Sequence, residues 1–320
     1  MRAVLRRLPP LIATLLAVSF LTFLLTSLLP GDPAEQILGP QSATPERLAA
    51  VRAELRLDDA LPVRYVRWLG DAATGDLGRS YRTNQQVRDA IIERLPVTVQ
   101  IGGMAIGFAL LVAVPLGMIS AYRSGGPVDR VVTGGSFMLL SIPSFMMALV
   151  LILVFAVNLG WLPATGWTRI SDDLGQNLRA ALLPAASLAV GELAVYTRLL
   201  RSDMIGTLQE DYIALARAKG MPTFWILLRH ALRPSSFSLL TVVGLQVGAV
   251  MTGSVVIETL FALPGVGRLL VDSVYQRDLI MVQGIALVVA VSYVLVNFIV
   301  DIVYSYLDPR IRHGRTAART

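Results

Sequence analysis

Any chemistry in this sequence has to come from very few side chains. Cysteine is absent, and His230 and His313 are the only histidines. That leaves no disulfide framework, thiolate metal site or cysteine nucleophile, and little for imidazole ligation or base catalysis. There is no G-x-x-x-x-G-K-S/T segment to cradle nucleotide phosphates and no H-E-x-x-H to hold zinc. A serine hydrolase dyad lacks its histidine, and an aspartyl pair needs two intramembrane aspartates where only Asp301 qualifies. What remains are lone acids in apolar surroundings, Glu192 and Asp301, and polar clusters between apolar runs. Such residues suit transport and mechanical coupling better than covalent catalysis.

The elements that position them are membrane helices. Hydrophobic residues make up 54% of the 320 and charged residues 16%, with a mean hydropathy of +0.63. A soluble domain carries roughly a quarter of its residues as charges, so water is the wrong solvent for this chain. A spanning helix needs about 20 mostly apolar residues. Six stretches qualify: Leu8–Leu29, Pro96–Tyr122, Val131–Leu159, Ala181–Thr197, Ser235–Ile257 and Leu279–Leu307. The fourth is short and carries Glu192. Phe261–Val271 is too short to span and reads as a re-entrant or interfacial piece. The run after Arg2, Arg6 and Arg7 is too long for a signal peptide and reads as an uncleaved anchor. The expected fold class is therefore an all-α integral membrane protein.

Charge sets the orientation. With both termini inside, the inner segments hold fifteen basic residues, including Arg123, Arg130, Arg198, Arg201, Arg217, Lys219, Arg229 and Arg233, against five acids. The outer segments are close to neutral, as the positive-inside rule expects. The organisation that follows is an inner start and first span over 1–29, an outer region over 30–95, a transmembrane core over 96–308 and a basic inner tail over 309–320. In the outer region Thr44 and Pro45 have the N-cap and first-turn chemistry of a helix running towards Leu57.

The core contains an inner loop at about 198–234. Asp211 to Lys219 are good helix formers, Gly220 and Pro222 end that helix, and Thr223–Leu232 resumes with Phe224, Trp225, Leu227 and Leu228. Gly220 is expected to let the chain reverse without a Cβ clash. Two readings stand on these residues alone: an interfacial loop helix, or a short small-residue helix offered to a partner's groove.

This loop resembles the coupling loop of ABC importer permeases, the E-A-A-x-x-x-G region. In the peptide branch the pattern is D-Y-x-x-x-A-R-A-K-G, matched by Asp211, Tyr212, Ala216, Arg217, Ala218, Lys219 and Gly220. Ala214 replaces the general motif's glutamate, so no role of that glutamate carries over. Further fragments in matching order are Leu29–Pro33, Leu55–Tyr65, Gly75–Ser80, Asp129-Arg130, Ser141–Phe145, Ile257–Phe261, Pro264–Gly267, Asp301–Tyr304 and Asp308–Arg312. Together they identify the chain as resembling the first permease of dipeptide, oligopeptide and nickel ABC importers. The resemblance implies a type I importer permease fold of about six spans in a bacterial inner membrane. It also implies a second homologous permease, two ATPase subunits that bind ATP and magnesium, and an extracytoplasmic substrate-binding protein. No cofactor is expected on this chain, and no nucleic acid. A nickel or glutathione permease of the same branch is the near alternative, and an ion-coupled secondary transporter the distant one.

Other residues keep two readings each. Glu192 either lines the translocation path or pairs with an arginine such as Arg198 or with a neighbouring subunit. Glu258 with Pro264, Gly265 and Gly267 either shapes an outer gate or is a plain connection. Asp301 reads as a helix-end pairing. Pro115, Pro143 and Pro184 read as kinks, and Gly244-x-x-x-Gly248 as a small-residue helix contact.

Overall fold

The computed structural model describes residues 2–27, 33–38, 44–54 and 57–307. The Leu29–Pro33 fragment lies mostly outside them, as do Asp308–Arg312 and the basic tail. Helices make up the described chain in the order α1 (Arg2–Ser27), α2 (Pro33–Leu38), α3 (Pro45–Glu54), α4 (Leu61–Thr74), α5 (Val87–Tyr122), α6 (Pro127–Ser141), α7 (Ser144–Leu151), α8 (Leu174–Thr207), α9 (Asp211–Ala218), α10 (Thr223–Trp225), α11 (Leu232–Leu260), α12 (Val266–Tyr275) and α13 (Leu279–Leu307). Among the described residues, α5, α8 and the Leu279–Val300 part of α13 are each long and apolar enough to cross a bilayer. α1 and α11 occupy the first and fifth expected spans.

The third span departs from expectation. It is not one helix from Val131 to Leu159 but two, Pro127–Ser141 and Ser144–Asn158, meeting at 101°. The cause is local. Pro143 forces the preceding residue out of the helical region, and Ile142 sits at φ −97°, ψ 117°. Pro143 is thus a break rather than a kink, whereas Pro184 stays inside the continuous α8. Beyond α7 the chain runs through π-helical turns, Ile152–Asn158.

Two compact units make up the chain, Met1–Thr98 with Pro264–Leu295, and Val99–Leu263 with Val296–Thr320. The core of the first joins the start of α5 (Val87, Ala90, Ile91) to α12 (Val266, Leu269) and the start of α13 (Met281, Ile285). On α1, Phe20 and Phe23 stack with Tyr65 and Trp68 of α4, and Ser19 hydrogen-bonds the Tyr65 hydroxyl at 2.8 Å. The expected helix after Thr44 is α3, packed on α2 through Ala34 and Val51.

In the second unit α8 is the centre, packed by α6, α7 and α11. Half of its apolar window is buried, against 33% for α5 and 22% for the last span. That explains its weak hydropathy. A helix shielded by protein meets its neighbours with small residues such as Ala181, Ala185 and Ala189, and it tolerates polar side chains that lipid would reject.

Candidate functional site

The loop from α8 to α11 folds as the sequence expects, with one refinement. α9 starts at Asp211, whose charge suits a helix N-terminus, and carries Arg217 in its last turn. Ile213 and Ala216, three residues apart, are buried and face the π-helical segment Ile226–Ala231 that leads into α11. Asp211, Tyr212, Arg217, Ala218, Lys219 and Gly220 are exposed. Of the matched residues, then, Ala216 anchors the helix and the others are presented on its free side. Tyr212, 45% exposed, has its phenol pushed above the ordinary range by partial burial and then by the Glu210 carboxylate. It therefore stays a neutral hydrogen-bonding group at physiological pH.

Gly220 ends α9 and reverses the chain through its own backbone conformation, as expected. A Cβ there would meet nothing within 4 Å, but the backbone lies at φ +74°. The Met221 N–H donates to the Ala216 carbonyl (3.2 Å) and the Gly220 N–H to the Arg217 carbonyl (2.9 Å). This is a Schellman closure, which needs a left-handed residue at this position. Pro222 then starts the next turn. Beyond it Phe224 and Trp225 are exposed and stack edge to face at 6.0 Å.

One helical turn and a half before the loop, three helices are tied together. Asp129, in the first turn of α6, is buried at 4% exposure. Its carboxylate accepts both arms of the Arg201 guanidinium from α8, with Nη2 at 2.7 Å from Oδ2. It also accepts the Ser120 hydroxyl from α5 and the Gly125 N–H at 2.8 Å. From sequence, Asp129 is an inner acid within a family fragment and Arg201 an inner positive charge, with nothing that pairs them. An acid two residues after a helix-starting proline, inside a basic segment, was the available signal.

Glu192 lies nine residues earlier on α8 than Arg201, and its partner is not Arg198. Both of its carboxylate oxygens accept from Gln246 Nε2 of α11, at 2.9 and 2.8 Å. Arg198 instead stands over the Phe137 ring at 4.4 Å, so the expected pairing is corrected. The Tyr196 hydroxyl, one turn along α8, is buried beside Glu192 and interacts with it without a well-formed hydrogen bond.

At the far end of α11, Glu258 is fully buried and accepts from the Ser254 hydroxyl at 3.0 Å. The helix closes with a second Schellman pattern, the Leu263 N–H reaching the Glu258 carbonyl at 2.8 Å, here with Ala262 at φ +55°. In the other unit Gly265 is the N-cap of α12. Gly265 and Gly267 are buried and Pro264 is half-buried, while the Val266 N–H donates to Thr98 Oγ1 at 2.9 Å.

The Gly75–Ser80 fragment acquires a physical role within that unit. Asp76 Oδ1 accepts the Gly78 N–H at 2.9 Å. Gly78 has φ +85°, and a Cβ on it would lie 2.9 Å from Ile280. Ser80 donates to the buried Asp278, which in turn caps α13 through the Met281 N–H at 3.2 Å.

Residues 1–102 match the family described as the N-terminal part of binding-protein-dependent transport system membrane components, and residues 113–313 match the family described as the inner membrane component of such systems. The chain belongs to this family. A protein of Brucella abortus (strain 2308) named as a peptide transport system permease is 40% identical over 310 residues, covering 97% of this chain and 98% of that protein. The di/tripeptide transport system permease protein of Pseudomonas aeruginosa (strain UCBPP-PA14) is 38% identical over 330 residues, covering 97% and 98%. A solved structure described as an amino acid ABC transporter with histidines aligns at TM-score 0.48 and 15% identity, over 69% of this chain and 94% of that one. The chain is a multi-pass inner-membrane permease subunit of a binding-protein-dependent transporter, with the all-α type I permease fold that the resemblance implied.

Proposed function

We propose that this chain is one of two permease subunits of an ATP-driven peptide importer. The observation that carries this reading is α9 with its Gly220 closure: a short helix anchored by two buried residues, otherwise exposed, and packed on the π-helical segment that leads into α11. The names of the full-length relatives support peptides as the substrate class.

On this reading both termini and the α8–α11 loop are cytoplasmic. Asp211, Tyr212, Arg217, Ala218, Lys219 and Gly220 meet a cytoplasmic ATPase, and Ala216 holds the helix in place. A second ATPase engages the homologous permease, and ATP and magnesium are bound by those partners rather than by this chain. Movement of α9 passes directly into α8 and α11, because both leave the same loop. Glu192 lies beside the path these helices wall. Glu258 near the extracytoplasmic end of α11, and separately the Pro264, Gly265 and Gly267 turn, contribute to the outer gate that a binding protein addresses.

The test is energy dependence. Peptide uptake by the reconstituted complex should survive collapse of the proton gradient and stop when ATP is depleted. The reverse pattern would identify an ion-coupled transporter.

A further inference from the structure

Glu192 carries a feature that the coupling function does not use. An acid inside a membrane span is costly unless its charge is met, and among the described residues no arginine, lysine or histidine forms an ion pair with it. Its partners are a neutral amide and a buried phenol. Gln246 offers one nitrogen to both oxygens, at 2.9 and 2.8 Å. A carboxylate has about four lone-pair sites, so further acceptor capacity remains. Tyr196, fully buried one turn along the same helix, backs the carboxylate with a hydroxyl that has no well-formed bond of its own. Neither Glu192 nor Gln246 is sealed, since both are partly exposed in this chain.

The arrangement is a prepositioned acid, partly exposed and with no counter-ion among the described residues. The chemistry that completes it is a cationic N–H donor from outside the chain. An ammonium group, with three donors and a compact charge, fits. Two sources carry that chemistry: the amino terminus of a transported peptide, and a basic side chain of the second permease. An interhelical brace alone would be served by Gln246 facing another amide, without the cost of a charge.

We propose that Glu192, held by Gln246 and backed by Tyr196, is the point on the translocation path that receives the ammonium group of the peptide. This rests on the peptide-permease reading above.

The experiment uses the complete transporter in proteoliposomes, with saturating binding protein and ATP, and compares wild type with Glu192→Gln and Glu192→Asp. Uptake of Ala-Ala and of N-acetyl-Ala-Ala is measured, each at concentrations that saturate the binding protein. The expected result is a fall of about tenfold in the maximal Ala-Ala rate for Glu192→Gln, from loss of a charge-assisted contact. Half-saturation should be unchanged, Glu192→Asp should recover part of the rate, and the acetylated peptide should move equally in both proteins. Three results overturn the proposal: an Ala-Ala rate for Glu192→Gln close to wild type, an equal fall for both peptides, or loss of the second permease on purification. The last would assign the cation to the partner. If wild type imports neither peptide, the functional reading fails, not the residue assignment within it.

Discussion

The Asp129–Arg201 tie gives the sharpest test of how the second unit is held together. Asp129→Asn keeps size and shape but removes the charge that meets Arg201, and it leaves the Ser120 hydroxyl and Gly125 N–H sharing a weaker acceptor. Breaking one half of a buried pair costs roughly 3–5 kcal/mol. The Arg201 side chain is 26% exposed against 6% for the Asp129 side chain, so the guanidinium can turn partly towards water, and the lower end, about 3 kcal/mol, is expected. The thermal midpoint of the purified chain should fall on the order of 5–10 °C. The same loss should follow Arg201→Gln, and the double variant should lose clearly less than the sum, because neither charge is then left alone. The exchanged pair Asp129→Arg with Arg201→Asp should not recover. Position 129 receives the Gly125 N–H, which an arginine cannot accept. A midpoint for Asp129→Asn within a degree or two of wild type, or full recovery by the exchanged pair, would refute the account of this tie.

Other positions give shorter tests. A Cβ on Gly244 would stand 2.3 Å from Val300 Cγ1, so Gly244→Ala should lose about 1–3 kcal/mol by overpacking, and Val300→Ala in the same chain should restore most of the thermal midpoint. Ser80→Ala removes the hydroxyl that donates to Asp278. It should cost about 1.5–3 kcal/mol, as a hydrogen bond to a charged group, seen as faster proteolysis around residues 75–86, while Ser80→Thr should be tolerated better.

Much of this architecture was legible because membrane helices announce themselves by length and apolarity, which need no partner to be read. α5, α11 and α13 fall where the apolar runs lie. α8 is the weakest span by hydropathy because its neighbours, not its own sequence, keep it from lipid. The break at Ile142-Pro143 was hidden for a related reason: hydropathy reads apolar residues on either side of a proline as one run, whereas the backbone cannot. At the loop, the helix and its glycine stop were readable from local chemistry. Which face of α9 is buried was not, since that depends on the π-helical segment folding back against Ile213 and Ala216. Pairings between distant positions were least visible. Glu192 with Gln246, 54 residues apart, and Asp129 with Arg201, 72 apart, arise where helices cross. No spacing within one helix encodes such a crossing.

The most direct measurement for the central claim is the number of peptides imported per ATP hydrolysed when the turn after α9 is altered. Gly220 holds φ +74° with open space around it, so the penalty at this position is conformational: roughly 1–2 kcal/mol for an ordinary residue, less for asparagine and more for a β-branched side chain. If α9 couples an ATPase to the permease, Gly220→Asn should keep a ratio near wild type. Gly220→Val should insert normally and sustain ATP hydrolysis with little peptide import. A normal ratio for Gly220→Val would contradict the account.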